Sequence, residues 1–452
     1  MFIYQWYWVP LVLIYIAIII TILIENRHPS KTIAWILVIV FLPVAGILIY
    51  YVFGQQYKKE QRLRRQDKEK HIRLMRVWDR LTPIVEENLA HLRREIGPLS
   101  QVYQFLNNQR VAPPLLHNEV KLLINGESKF PELLAAIEAA EHHIHLEYYI
   151  FELDEIGSRI LMLLEKKAAQ GVFVRLIADA FGSPGLKRLQ RQFLEKGIQY
   201  IAFMPVKFSS LANSNYRNHR KIAIIDGRTA FVGGINISDR YLNNGKSSVF
   251  WRDTAVRIEG EAVNALQTQF WMSWHQAGGE SFSLRDGYFF SPPTDVVRRA
   301  GVSFAFSDPG SPAPFNMEAM LIGIAAARHT IRICTPYFIP SDEFSTALQV
   351  AAASGVTVEL MLPARSDSYI VQHASFSFIK PLLQRGVSVY LYQKGFLHAK
   401  TICIDGKLAY IGTVNLDTRS FYINFEVSAV IADPTLCAQL DAQFRRDCDD
   451  SL

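Results

Sequence analysis

The sequence predicts an α/β protein built from two pseudo-symmetric units, each a mixed sheet flanked by helices, following an N-terminal hairpin of two transmembrane helices. Three observations lead there. A segment with five fixed positions recurs at one offset, strand and helix patterns alternate around each copy, and two long uncharged runs open the chain. The 452 residues then divide into a hairpin over 1–56, a basic juxtamembrane helical segment over 57–110, a first repeat over 111–285, a linker over 286–315 and a second repeat over 316–452.

The hairpin comes first. Phe2 to Ile24 and Thr32 to Phe53 carry no charge, and each exceeds 20 residues, enough to cross a hydrocarbon core of roughly 30 Å at about 1.5 Å per residue. A cleaved signal peptide would need a basic start and a small-residue cleavage site, and here a second apolar run follows at once. Tyr4, Trp6, Tyr7 and Trp8 at one end match Tyr50 and Tyr51 at the other, as interfacial belts do. The loop between the runs holds Arg27 and Lys31, whereas ten Lys/Arg against four acids fall between Tyr57 and Arg80. The positive-inside rule therefore places the N-terminus and the body of the chain on the cytoplasmic side.

That basic stretch accounts for the whole net charge of +6, so the rest of the chain is near neutral. Such a run is often only a solvated helix. Beside a membrane span, each cation gains about 1 kcal/mol from anionic lipid, which favours surface attachment. A nucleic-acid partner is not expected, because it would call for a basic, aromatic-lined groove across the neutral part. The four cysteines, Cys334, Cys403, Cys437 and Cys448, lack paired spacing, so neither a disulfide framework nor a zinc site is expected.

The repeat is the strongest signal. Asn218 to Asn236 reappears as Leu397 to Asn415, with His219 and His398, Lys221 and Lys400, Asp226 and Asp405, Gly233 and Gly412, and Asn236 and Asn415 all offset by 179. Upstream, Ala-rich helices ending near Ala140 and Ala327 lead into strands over 143–151 and 330–339. A second helix and then Gly171 to Ile177, or Gly355 to Met361, follow each, which implies largely parallel α/β layers. The Pro-rich stretch Pro292 to Pro314 reads as the linker.

Within the motif, 219–225 reads as a strand, Asp226-Gly227 as a turn and 229–232 as the returning strand. Residues two apart share a face about 7 Å from each other, so His219 projects with Lys221 and His398 with Lys400. Asp226 and Asp405 sit at the turns, better placed to fix the loop than to touch a substrate. A four-residue turn pairing 226 with 229 would set Asn236 opposite His219 and Asn415 opposite His398. Gly233 and Gly412 would then let a ligand approach the backbone. A single His-x-Lys is ordinary strand surface, but two full copies at one spacing point to chemistry.

The duplicated His-x-Lys-x4-Asp-x6-Gly-x2-Asn pattern resembles that of the phospholipase D superfamily, over roughly residues 120–450. Within it the bacterial cardiolipin synthases are most similar. Arg27, Pro29, Ala34, Trp35, Pro43, Gly46, Tyr50 and Gly54 carry that likeness in the hairpin, and Asp417 to Phe421, Asn424 and Glu426 carry it in the tail. Gly234 and Thr413 stand where many members have Ser, a mild departure.

The resemblance implies that the two motifs meet at a pseudo-twofold interface as one site, with His219, Lys221, Asp226, His398, Lys400 and Asp405 as its catalytic set. By analogy His219 attacks a phosphodiester and His398 serves as acid and base, although a symmetric repeat does not itself say which histidine attacks. Lys221, Lys400, Asn236 and Asn415 would hold phosphoryl oxygens. Glu426 and, on the first copy, Asp253 would fix histidine tautomers, unless they are ordinary surface carboxylates. Glu147, with Tyr149, would line the pocket mouth.

No metal or cofactor is required, since the cations and amide donors replace it. The expected reaction is phosphatidyl transfer between two phosphatidylglycerol molecules at a bacterial inner membrane, giving cardiolipin and glycerol. Hydrolysis is the alternative, a membrane nuclease is less favoured, and a lipid-binding scaffold would show degenerate motifs. His142, His143 and His145 read as the start of a strand more than as a metal tract. Asp179 to Ser183 is either a site loop or a turn, and Trp271 and Trp274 belong to the core.

Overall fold

The computed structural model describes residues 8–24, 29–42, 44–50, 84–204, 215–245, 248–280, 287–289 and 300–452. It comprises an N-terminal unit and an α/β body, each compact. The basic stretch 57–80 lies outside the described residues.

In the N-terminal unit, helices Trp8–Ile24 and Pro29–Phe41 pack through Ile22 and Ile39, with Tyr50 buried beside them and its ring 5.5 Å from Trp35. The first helix has 17 residues. The second run, expected as one span over 32–53, is instead divided between Pro29–Phe41 and Ala45–Ile49. The division falls at Pro43 of the sequence, which has no amide hydrogen to donate to a helix. Among the described residues, no helix is long and apolar enough to cross a membrane.

Among the described residues the body contains eighteen strands. In the first repeat these are β1 (Asn118–Ile124), β2 (His143–Tyr148), β3 (Phe173–Asp179), β4 (Ile198–Phe203), β5 (Lys221–Ile225), β6 (Thr229–Gly233), β7 (Phe250–Arg252) and β8 (Thr254–Gly260). Then come β9 (Gly301–Ser307), β10 (Thr330–Cys334), β11 (Phe338–Ile339), β12 (Thr357–Pro363), β13 (Ser388–Tyr392), β14 (Gly395–Leu397), β15 (Thr401–Ile404), β16 (Leu408–Gly412), β17 (Leu416–Asp417) and β18 (Glu426–Ala432). The sheets run β1-β8-β6-β5-β2-β3-β4 and β9-β18-β16-β15-β10-β12-β13, one topology used twice. β2, β3 and β4 are parallel, as are β10, β12 and β13, and the motif hairpins β5-β6 and β15-β16 are antiparallel.

Period-two alternation sorts each strand between two cores. On β5, Ile222 and Ile224 join a core shared by both sheets, in which Val232, Val256 and Ile258 meet Ile411, Val427, Ala429 and Ile431. Ala223 and Ile225 face the outer core beneath helices Asn125–Ala139 and Glu155–Ala169. Strands covered on both faces are buried throughout, as β2 and β18 are. Trp271 and Trp274 lie in the shared core, as expected.

Two segments differ from the expected division. Gly301–Ser307, inside the stretch read as a linker, is a fully buried strand paired with β18. Residues 84–108, read as part of a juxtamembrane segment, form a helix over 84–96, a short 3-10 turn and helix Gln101–Asn108. Their Val85, Leu89, Leu92, Leu99, Val102 and Leu106 enter the second repeat's core with Met317, Met320 and Ile324. Tyr103 seals this contact, its hydroxyl donating to the carbonyls of Gly301 at 2.9 Å and Val430 at 3.2 Å.

Candidate active site

The two motifs face each other, and their histidines are held crosswise. Asn218 pairs with Phe425, and β14 pairs with β7 so that Leu397 meets Arg252. In each case the residue before a motif histidine lies beside the residue before the other repeat's carboxylate. His219 N–H donates to the Phe425 carbonyl at 2.9 Å and His398 N–H to the Arg252 carbonyl at 2.7 Å. As a result His219 Nδ1 meets the Glu426 carboxylate at 3.0 Å, and His398 Nδ1 meets Asp253 Oδ2 at 2.6 Å. Asp253 and Glu426, expected to fix histidine tautomers, each serve the histidine of the other repeat. Both carboxylates are fully buried, and neither is a surface group.

The two dyads are buttressed differently. Glu426 accepts from Thr413 Oγ1 at 2.5 Å and from Asn424 Nδ2 at 3.1 Å. Asp253 accepts from the Thr254 amide at 2.7 Å, and a Cβ at Gly234 would lie 2.1 Å from its Oδ1. Gly234 and Thr413, the two departures from Ser, thus match a bare backbone to the shorter acid and a hydroxyl to the longer one. Asn125, at φ +59°, clamps Asp253 from behind, accepting from its amide at 3.0 Å and donating to its carbonyl at 2.9 Å.

Lys221 and Lys400 extend back along their strands, and their Nζ atoms donate to the carbonyls of His219 (at 2.5 Å) and His398 respectively. Burial pushes the Lys400 ammonium down to about 8, opposed by Asp253 and Glu426, and lowers Lys221 as well. Burial likewise depresses His219, against the pull of Glu426, and takes His398 to about 3 with help from Lys400. Desolvation works against ionisation of Glu426 and Asp253, yet the histidines and lysines hold both below their ordinary values. Both lysines act on each histidine, so the two His-Lys pairs and two carboxylates form one electrostatic unit. It pairs two neutral imidazoles, each with Nδ1 engaged by a carboxylate, with a concentration of buried cationic donors. That arrangement can bind an anion and attack it through a free Nε2.

Other expected residues lie elsewhere. The Asp226 carboxylate accepts from the amides of Glu141, His142 and His143, and Asp405 from those of Arg328, His329 and Thr330, all at 2.7–2.8 Å. Tyr148 lies opposite Lys221, so Asp226, beside His143, is roughly 17 Å along the strand from the lysine. The register also differs from the one expected. Ile225 pairs with Thr229 and Ile404 with Leu408, so three residues turn the chain where two were expected, with Asp226 and Asp405 opening the turns at φ +53° and +54°. Asn236 and Asn415 are therefore shifted by one position and do not oppose His219 and His398. Asn236 instead donates to Tyr241 Oη at 2.9 Å, which lies 3.5 Å from His398 Nδ1. Asn415 is buried at the equivalent place in the second repeat.

Gly233 and Gly412 make room for neighbouring strands and not for a ligand. A Cβ would come within 2.5 Å of Ala255 Cα in one and 2.2 Å of the Val427 carbonyl oxygen in the other. Glu147 does not line a mouth. It is fully buried between the sheets, where Asn218 and Ser273 donate to it at 2.7 and 2.9 Å and Arg220 lies 3.8 Å away. Tyr149, past the end of β2, does reach the site, with its ring 5.0 Å from His219. Asp179 proves to be a supporting residue, accepting from the Asn218 amide at 2.9 Å. His143 and His145 bond Gln267 at 3.1 and 2.8 Å, and His145 stacks on Phe270. Tyr241, Arg220 and Trp251, whose ring is 5.5 Å from His398, were not singled out, although all three flank motif residues in the chain.

The duplicated sheets and the facing His-Lys pairs define a phospholipase D-like protein. The family model for "Cardiolipin synthase, PLD-like domain" matches residues 133–274 and again 320–448, and that for "Phospholipase_D-nuclease N-terminal" matches 12–55. A cardiolipin synthase of Geobacillus kaustophilus is 41% identical over 424 residues, 92% of this chain and 82% of that one. One from Alkalihalophilus pseudofirmus is 38% identical, covering 97% and 86%. The phosphatidylserine synthase of Haemophilus influenzae shares the fold, with a TM-score of 0.62 at 16% identity over 78% of this chain and 91% of that one. The chain belongs to the cardiolipin synthase family.

Proposed function

We propose that this enzyme transfers a phosphatidyl group from one phosphatidylglycerol to the headgroup hydroxyl of another, forming cardiolipin and releasing glycerol. The crosswise pairing of His219 with Glu426 and of His398 with Asp253 around two buried lysines carries this reading. Glu426 holds the Nδ1–H tautomer of His219, leaving the Nε2 lone pair for phosphorus. As the Nε2–P bond forms, the P–O bond to glycerol breaks, and His398 gives the departing alkoxide its proton. The bound phosphodiester brings a negative charge beside His398, which favours its protonated form and offsets the effect of burial.

Lys221 and Lys400 stabilise the phosphoryl oxygens as charge moves onto them. The hydroxyl of a second phosphatidylglycerol then loses its proton to His398 and bonds phosphorus, and the P–Nε2 bond breaks. One diester replaces another, so excluding water decides between transfer and hydrolysis.

The two uncharged N-terminal runs support anchorage in the bacterial inner membrane as a hairpin, with the body in the cytoplasm. There the anionic substrate already lies in the bilayer beside the basic stretch 57–80. Product analysis from labelled phosphatidylglycerol vesicles tests the reading. Cardiolipin plus glycerol is expected, with turnover falling by about 10³-fold or more in both His219→Ala and His398→Ala. Phosphatidic acid plus glycerol would make water the acceptor instead.

A further inference from the structure

At the carboxyl edge of the parallel strands, where α/β sheets place their ligands, each repeat carries bulky apolar side chains directed at solvent. After β3, Phe181 is 67% exposed, and at the start of helix Tyr369–Ser377, which follows β12, Tyr369 and Ile370 are 76% and 78% exposed. Single exposed apolar residues are ordinary, but here each repeat sets them beyond the equivalent parallel strand, β3 in one and β12 in the other. The Phe181 amide donates at 2.9 Å to Asp179, which holds the amide of Asn218, next to His219. On the other side Tyr337 Oη donates to Asp367 at 2.8 Å, two residues before Tyr369, and its ring lies 6.5 Å from Phe396, which packs on His398 at 5.8 Å. Exposed cations accompany both tips, Lys187 and Arg188 behind Phe181 and Arg365 ahead of Tyr369.

We infer that this edge docks on an anionic phospholipid bilayer, with Phe181, Tyr369 and Ile370 entering the interface around the mouth of the site. The inference rests on the lipid-transfer reading above. Apolar and aromatic tips fit the acyl boundary, and Lys187, Arg188 and Arg365, which outnumber the exposed Asp367 beside them, fit the anionic headgroups. A soluble protein partner would be met by the apolar side chains equally well, but it would leave the surrounding cations without a matching layer of anions. Docking here would let a lipid headgroup reach the histidines without its acyl chains leaving the bilayer.

The test uses the full chain in phosphatidylglycerol-containing vesicles. Phe181→Cys and Ile370→Cys, each with Cys448→Ser, carry an environment-sensitive fluorophore, and Val350→Cys, exposed near the end of helix Asp342–Ala353 at the opposite edge, is the comparator. Nitroxides on the acyl chains are expected to quench the labels at 181 and 370 about threefold more than the label at 350. Equal quenching at all three positions would overturn the proposal. A triple variant, Phe181→Ser with Tyr369→Ser and Ile370→Ser, is expected to lose about tenfold in turnover on vesicles while keeping turnover of a short-chain phosphatidylglycerol dissolved as monomers. Equal loss on both substrates would also overturn it. If the unsubstituted chain turned over neither lipid, the transfer reading would fall, and the quenching would still decide the docking.

Discussion

Each motif histidine is held by a carboxylate from the other repeat, and that carboxylate is held in turn by small neutral partners. Glu426→Gln keeps an acceptor for His219 Nδ1 but removes the charge that stabilises an imidazolium. Turnover should fall by about a hundredfold or more, read as kcat on vesicles with unchanged circular dichroism. Thr413→Val removes the hydroxyl that donates to Glu426 Oε2, the oxygen that also meets His219 Nδ1. A hydrogen bond to a charged group is worth about 1.5–3 kcal/mol, so a loss of roughly tenfold or more is expected; full activity would show that Thr413 only fills space.

The pH profile is a further test at this scale. Lys400 is charged below its depressed value of about 8 and neutral above it. Its hold on the phosphodiester therefore weakens as pH rises through that value, and kcat/KM should fall on the alkaline side near pH 8. A profile that stays flat well above that point would rule out a titrating lysine as the anion clamp.

The motif hairpins set the site at the scale of secondary-structure elements. Asp226 and Asp405 each collect three backbone amides at the start of β2 and β10, fixing where the strand that neighbours each motif begins. Their membership of the repeated motif is thus structural. Asp405→Ala should destabilise the fold by roughly 2–3 kcal/mol, seen as a lower thermal midpoint of the full chain in detergent, while the folded fraction at low temperature keeps near-normal kcat. A variant that stayed as stable as the parent but inactive would return the aspartate to the chemistry. Gly412 answers to a different constraint, the approach of β18, and Gly412→Ala would push that strand and Glu426 with it.

Across the whole molecule, the two repeats form one body because each completes the other. Strands β7 and β14 join them, and Arg252 on β7 reaches Asp447 of the C-terminal helix Pro434–Asp449 at 2.9 Å, with both side chains buried. Arg252→Met would strand a buried carboxylate at a cost of about 3–5 kcal/mol. The thermal midpoint should drop sharply, and adding Asp447→Asn should recover part of the loss. If the double variant were no more stable than the single one, the ion pair would not be what ties the helix to the first repeat.

Local chemistry made much of this legible from the chain alone. The His-x-Lys spacing puts two side chains on one strand face whatever surrounds them, and the 179-residue offset announces two copies of one sheet topology. Composition and periodicity likewise marked Trp271 and Trp274 as core. Other features depended on contacts between residues far apart in the chain, which no spacing records. The turn geometry at Asp226 and Asp405 shifted the register by one residue and moved Asn236 to Tyr241, because φ is chosen by the amides those carboxylates capture. Residues 84–108 and 301–307 joined the second repeat's core because apolar faces go where area can be buried, not where the chain order suggests. The sequence by itself determined that each repeat sets a His-x-Lys pair on one strand face, because that spacing is local; only the tertiary structure decided which carboxylate holds which histidine, since that pairing forms where two strand ends from different repeats meet.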